Sequence, residues 1–123
     1  MADEDTTLAD LKSEMRRFVS ERDWEKYHTP RSLAISVSIE AAELLELFQW
    51  HEGAEPTADE ILSDPRLYDS VKDEIADVFL YLIEMCNILD IDLSEAVRIK
   101  LSKNREKYPA ELYRGRARLD EDI

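Results

Sequence analysis

The sequence predicts an all-α fold and, within that class, a four-helix bundle. Three observations lead there. Only two glycines and four prolines punctuate 123 residues, so long uninterrupted helices are easier to write than short strands joined by turns. Apolar residues, 44% of the chain, recur at three- and four-residue spacing over four long segments. No segment shows the two-residue alternation of a half-buried strand. A chain of this length fits one domain, spanning 1–123, with a core of about residues 7–109 and tails at 1–6 and 111–123 that are expected to be mobile.

The first helix is expected over Thr7 to Arg22, where Leu8, Leu11, Met15, Phe18 and Val19 share one face. Asp23 to Pro30 breaks the period. Thr29-Pro30 then offers a capping hydroxyl followed by a proline whose fixed φ suits a first helical turn. The second helix should run from there to about Trp50 and end before Gly53. Leu33, Ile35, Val37, Ile39, Ala41, Leu44, Leu45, Leu47 and Phe48 cover nearly its whole circumference, which implies burial against several neighbours.

Residues 53–67 form a connection in which Thr57-Ala58-Asp59-Glu60 reads as a capping box for a short helix near Asp59 to Leu62. The third long helix, about Tyr68 to Leu89, carries Val71, Ile75, Val78, Phe79, Leu82, Met85 and Leu89 at helical spacing. Ser94 is the expected cap of a fourth helix holding Ala96, Val97 and Leu101, which stops before Tyr108-Pro109 because proline disfavours helix in the residue before it.

The net charge of −13, from 29 acidic and 16 basic side chains, repels nucleic-acid phosphates and anionic lipid, so neither a nucleic acid polymer nor a membrane is expected as a partner. The charge is uneven. Eight of the sixteen basic residues lie between Arg98 and Arg118, opposed only by Glu106 and Glu111. That segment is either a solubilising helix surface or an arm that receives a small polyanion. Cys86 is the only cysteine and sits in an apolar stretch, which excludes an internal disulfide and a cysteine zinc site. The acidic start Met1-Ala2-Asp3-Glu4-Asp5 lacks the basic and apolar regions of a signal peptide, and no run of 18 apolar residues exists, so a cytoplasmic protein is expected.

Acids interrupt the two most apolar helices. Glu40 with Glu43, and Glu74 with Asp77, are spaced three apart and so share a face within each helix. If the second and third long helices pack antiparallel, the two pairs can face each other around a small volume. One such pair in an acidic chain is ordinarily a solvated surface. Two of them, on helices too apolar to spare a wide solvated face, favour a bound cation. Carboxylate oxygens suit Mg²⁺, Mn²⁺ or Ca²⁺, and His28 and His51 lie outside both pairs. Di-iron bundles use Glu-x-x-His, and neither pair ends in histidine. Mg²⁺ keeps waters and is usually completed by substrate phosphates, which gives the basic segment after Arg98 a purpose.

The order of motifs resembles the all-α nucleoside triphosphate pyrophosphohydrolases, the family of MazG and the dCTP pyrophosphatases. Asp23-Trp24-Glu25-Lys26-Tyr27-His28-Thr29-Pro30-Arg31 precedes Glu40-Ala41-Ala42-Glu43, which runs into Glu46-Leu47-Phe48-Gln49-Trp50. Glu74-Ile75-Ala76-Asp77 comes next, and then Lys100 and Asn104 before Lys107-Tyr108-Pro109. The resemblance covers residues 8–112 and is greatest to the dCTP pyrophosphatase branch. It implies cleavage of free (deoxy)nucleoside triphosphates, dCTP or modified pyrimidine nucleotides among them, to monophosphate and pyrophosphate. It also implies a Mg²⁺ site, with Mn²⁺ as the alternative, at Glu40, Glu43, Glu74 and Asp77, and homodimers or homotetramers with shared active sites.

Glu43 or Glu46 would orient the attacking water. Lys100 and Asn104, one turn apart, would meet the phosphates with Arg105 or Lys107 assisting, and the resemblance places Arg31 and Tyr108 among the substrate contacts. A solvated face is the alternative for Lys107. Trp24, Trp50 and Tyr81 resemble the aromatic positions of a base pocket, with core packing as the alternative for Tyr81. His28 either binds phosphate or satisfies a hydrogen bond within its loop. The dCTP-cleaving enzymes that the sequence resembles carry a histidine near Met15 and an asparagine near Ser32, and the sequence departs from them there. A non-catalytic nucleotide- or metal-sensing helical module is the alternative function.

Overall fold

The computed structural model describes residues 2–49 and 55–117. Its helices are α1 (Leu8–Glu21), α2 (Pro30–Gln49), α3 (Ala58–Leu62), α4 (Pro65–Leu89), α5 (Leu93–Lys107) and α6 (Ala110–Tyr113), with one 3₁₀ turn at Glu25–Tyr27. Among the described residues there is no strand. The all-α class with four long helices is therefore what the chain adopts. α1 to α4 belong to one compact unit ending at Asp90, and α5 and α6 to a second beginning at Ile91.

Capping sets most boundaries. Thr7 and Asp10 cap α1 reciprocally: Asp10 N–H donates to Thr7 Oγ1 at 3.0 Å and Thr7 N–H to Asp10 Oδ2 at 2.9 Å. Ser32 N–H donates to Thr29 Oγ1 at 3.1 Å, which closes the start of α2 where the sequence expects it. Thr57 likewise accepts from Glu60 N–H at 3.2 Å at the start of α3.

Two boundaries differ from expectation. α4 begins at Pro65 rather than near Tyr68, because Asp64 Oδ1 accepts from Leu67 N–H at 3.2 Å and proline fits the first turn. α5 is capped by Asp92, whose Oδ1 accepts from Glu95 N–H at 3.0 Å, and Ser94 already lies inside the helix. A carboxylate also suits the positive end of the helix dipole better than a hydroxyl does. Past Pro109, where a tail is expected, the chain makes the short helix α6. Trp50 and Gly53, at the expected end of α2, lie outside the described residues.

In the first unit α4 is central: α2 packs against it most extensively, followed by α1 and α3. Among the described residues, Met15 and Val19 of α1, Leu33 of α2, and Ile83 and Cys86 of α4 are the buried apolar side chains. The expected envelopment of α2 does not occur. Ile35 is 53% exposed, Ile39 52% and Leu45 56%, because α4 covers one side of a helix that is apolar on nearly all sides.

The turn after α1 directs the chain toward the start of α2. Asp23 adopts the left-handed conformation at φ 53°. Its N–H donates to Ser20 O and that of Trp24 to Val19 O, both at 3.1 Å, the paired bonds of a Schellman C-cap. Such caps usually add an apolar contact across the turn. Here Trp24 supplies it, meeting the Phe18 ring edge-on at a centroid distance of 5.8 Å.

A β-branched residue is strained at a positive φ, whereas glycine is not. Asp23→Val should lower unfolding stability by about 1 kcal/mol relative to Asp23→Gly in urea titration. Both variants lose the exposed Asp23 ion pair with Lys26 at 3.3 Å, so that contact cancels. Equal stabilities would show that the turn does not depend on the left-handed residue.

Candidate active site

Packing of α2 on α4 brings three acids together. Single carboxylate oxygens of Glu40, Glu74 and Asp77 all lie within 4.8 Å of one another. Both glutamates are half-buried, and Glu40 Oε2 and Glu74 Oε2 are buried without a hydrogen-bond partner. Burial, hydrogen bonding to Glu74 and Glu43, and the negative charges of Glu43 and Asp77 push the Glu40 carboxyl from 4.5 up to about 7. Burial raises Glu74 as well, with the neighbouring acids adding to it and a hydrogen bond with Glu40 opposing.

Charges crowded in this way, with two buried oxygens left without a partner, are unfavourable until protons or a cation neutralise them. The donor set is all oxygen and suits a hard divalent ion. Glu43 is exposed one turn from Glu40 and acts on both half-buried glutamates through charge and hydrogen bonding, while Glu46 is exposed further along α2.

Beside this cluster lies a cavity of about 380 Å³. Leu11, Glu14, Met15 and Phe18 of α1 form one wall, and Asp77, Leu80 and Tyr81 of α4 another. Trp24 and His28, from the connection between α1 and α2, complete it. Its volume is within the roughly 300–1,000 Å³ of ordinary small-molecule sites. Asp77 belongs to both the acidic cluster and the cavity wall, so the two are contiguous.

His28 finds its partner outside its own loop: Nδ1 lies 2.8 Å from Oε2 of Glu84, whose residue is only 3% exposed. Asn87 Nδ2 donates to Glu84 Oε1 at 3.4 Å and to the Lys12 carbonyl of α1 at 3.1 Å. Sequence reasoning misses Glu84 because it lies in the apolar run after Tyr81. The signal is present, since Glu74, Asp77, Tyr81 and Glu84 are spaced three, four and three apart along one face. Leu11, Met15 and Phe18 share the face of α1 that their spacing predicts, and that face lines the cavity.

The remaining expected site residues are distributed differently. Arg31 is exposed in the first turn of α2, and Trp50 lies outside the described residues. In the second unit Lys100, Arg105 and Lys107 are exposed on α5, and Asn104 is half-buried. Tyr108 caps α5 through a backbone bond to Asn104 O at 2.8 Å and meets Tyr113 edge-on at 5.2 Å. Ser32 Oγ, at one position of departure from the relatives, accepts a hydrogen bond from Thr29 at 2.9 Å.

Residues 35–118 match the model of the MazG-like family. The chain belongs to the MazG-like family. A pyrophosphatase of Archaeoglobus fulgidus is 42% identical and superposes with a TM-score of 0.73, over 89% of this MazG-like chain and 98% of that one. dCTP pyrophosphatase 1 of Rattus norvegicus is 39% identical over 111 residues, and that of Homo sapiens 38% over 112. These alignments cover 90% and 91% of this chain but only 64% and 65% of those relatives. The chain thus spans less than two thirds of their length.

A carboxyl raised on folding favours the folded state below its ordinary value of 4.5 and withdraws that contribution as pH rises through about 7. Without divalent ions, Tm should fall across this interval, and Glu40→Gln should flatten the fall. Added Mg²⁺ or Mn²⁺ should raise Tm more above pH 7 than near pH 4.5. A metal-induced shift that is the same at both ends would argue against Glu40 as part of the site.

Proposed function

We propose that this chain hydrolyses free (deoxy)nucleoside triphosphates to monophosphate and pyrophosphate, cleansing the cytoplasmic nucleotide pool, with dCTP or modified pyrimidine nucleotides among its substrates. The observation that carries this reading is the sharing of Asp77 between an acidic cluster and an aromatic-walled cavity. A nucleotide has matching halves, a polyphosphate that needs a cation and a flat ring that needs an apolar slot. The cleaved bond would lie where those halves meet. The family membership and the names of the relatives support the same reading.

Glu40, Glu74 and Asp77, with Glu43 alongside, are the residues that would hold Mg²⁺ or Mn²⁺, whose bound charge neutralises phosphate oxygens. Glu43 is placed to take the proton of the attacking water, and Glu46 is the second candidate. Water oxygen bonds to the α-phosphorus as the bond to the bridging oxygen breaks, and pyrophosphate leaves with the electron pair. Trp24, Phe18 and Tyr81 exclude water from the base. The family resemblance, not a contact to the cluster, assigns Lys100 and Asn104, with Arg105, Lys107 and Tyr108, to substrate, and Arg31 and Trp50 with them.

A homodimer or homotetramer belongs to the same proposal. Ile35 and Ile39 on α2, and Ile75, Leu82 and Leu89 on α4, are exposed apolar side chains on helices that also carry the site. Light scattering should give a multiple of 14.4 kDa, and the mass of a single chain would refute association.

The activity is tested by turnover of a nucleoside triphosphate panel with Mg²⁺, resolving monophosphate and pyrophosphate from diphosphate and phosphate. Glu43→Gln and Asp77→Asn should each lower kcat at least about 100-fold, the scale of losing a general base or a charge-stabilising group. Diphosphate plus phosphate would refute attack at the α-phosphorus. Nucleotide binding without turnover would identify a sensing module instead.

A further inference from the structure

We propose that Glu84 is a positioning residue for base recognition, holding the His28 ring so that Nε2 accepts a hydrogen bond from the exocyclic amino group of a nucleobase in the cavity. The inference rests on the nucleotide reading above and extends it to a substrate class, amino-bearing bases such as cytosine and adenine over uracil and thymine.

The first ground is the placement of a carboxylate among buried apolar side chains. Glu84 is 3% exposed, and its neighbours Ile83 and Cys86 are buried with it. An apolar residue at this position would avoid the desolvation of a charge, so packing alone does not account for a glutamate. What the carboxylate accomplishes is local. Its Oε2 lies 2.8 Å from His28 Nδ1, and its Oε1 accepts from Asn87 Nδ2 at 3.4 Å.

The second ground is the orientation of Asn87. Its amide directs Nδ2 at both Glu84 and the Lys12 carbonyl and leaves Oδ1 buried without a partner. Reversing the amide would set its oxygen against a carboxylate and a carbonyl, so the orientation is dictated by the neighbours. One acceptor is left unsatisfied while Glu84 is held from its far side, which braces the carboxylate between α1 and the connection bearing His28.

The third ground is the position of the ring. The His28 side chain is 12% exposed and lines the cavity whose other walls include Trp24, Phe18 and Tyr81. In the tautomer that donates from Nδ1 to Glu84, the ring's lone pair lies on Nε2. A nitrogen lone pair in a mostly apolar slot selects a ligand with an N–H donor. A base offering a carbonyl at that edge would leave both groups unsatisfied, and discrimination of this kind is stronger than discrimination by size.

Two measurements on the full chain test the proposal. Long-range ¹⁵N NMR of its two histidines reads the tautomer directly. Wild type should show His28 as the Nδ1–H form, and dCMP, but not dUMP, should move its Nε2 resonance. An Nε2–H or doubly protonated ring at the pH of the assay, or equal response to dCMP and dUMP, would overturn the proposal. Because the products are titrated without metal or turnover, this arm stands even if no triphosphate is hydrolysed. Binding of neither monophosphate would instead remove the nucleotide reading itself.

The second arm is kinetic. The ratio of KM for dUTP to KM for dCTP should be roughly tenfold in wild type, the scale of one net hydrogen bond with an unsatisfied group left behind. Glu84→Leu should bring the ratio close to one and change kcat for both nucleotides in parallel, whereas Glu84→Gln, which can still accept from Nδ1, should keep most of it. An unchanged ratio in folded Glu84→Leu would sink the proposal. If that variant does not fold, collapse of the ratio in Glu84→Gln with its His28 tautomer unchanged serves as the refuting result.

Discussion

Three carboxylates that repel one another are held within a few ångströms by the apolar packing of α2 on α4, and much else in the first unit depends on that conflict. Helix packing supplies the attraction, and the acids supply a local opposing strain that only protons or a cation relieve. The raised Glu40 carboxyl and the orphaned oxygens of Glu40 and Glu74 are two expressions of the same crowding. The acids are converged by helix packing alone, without any ion to draw them together.

Around this centre, α4 serves two neighbours at once. Its Glu74 and Asp77 face the acids of α2, and one and two turns later Tyr81 and Glu84 serve the cavity and the His28 ring. One stripe of a single helix therefore runs from the acidic cluster to the groups at the cavity without a change of face. The cost of this economy is visible in the apolar residues left exposed on α2 and α4, for which the chain by itself has no covering partner in its first unit.

How much of this is legible in the sequence depends on range. The long helices are legible because apolar spacing and capping residues are local signals, as at Thr7, Thr29 and Thr57. The acidic pairs are legible because residues three apart share a face whatever the helix packs against. Asp92 displaces the expected start of α5 because it and Ser94 could each cap, and only geometry decides between them, while α4 starts early because Asp64 caps it and Pro65 fits its first turn. The left-handed Asp23 reads simply as a break in period, since aspartate signals several turn types equally well. The His28 partner is beyond reach, 56 residues away in a run that otherwise spells core.

The Schellman turn at Asp23 separates two inheritances within one small unit. Trp24 and His28 ride on a short connection whose conformation is set by its own backbone bonds, whereas the clustered acids are carried by the α2–α4 core. Substitutions in that connection can reshape what the cavity admits without disturbing the groups that do chemistry. Such a scaffold diversifies readily: selection can alter the cavity wall through a handful of residues while the acidic cluster stays under unchanged constraint.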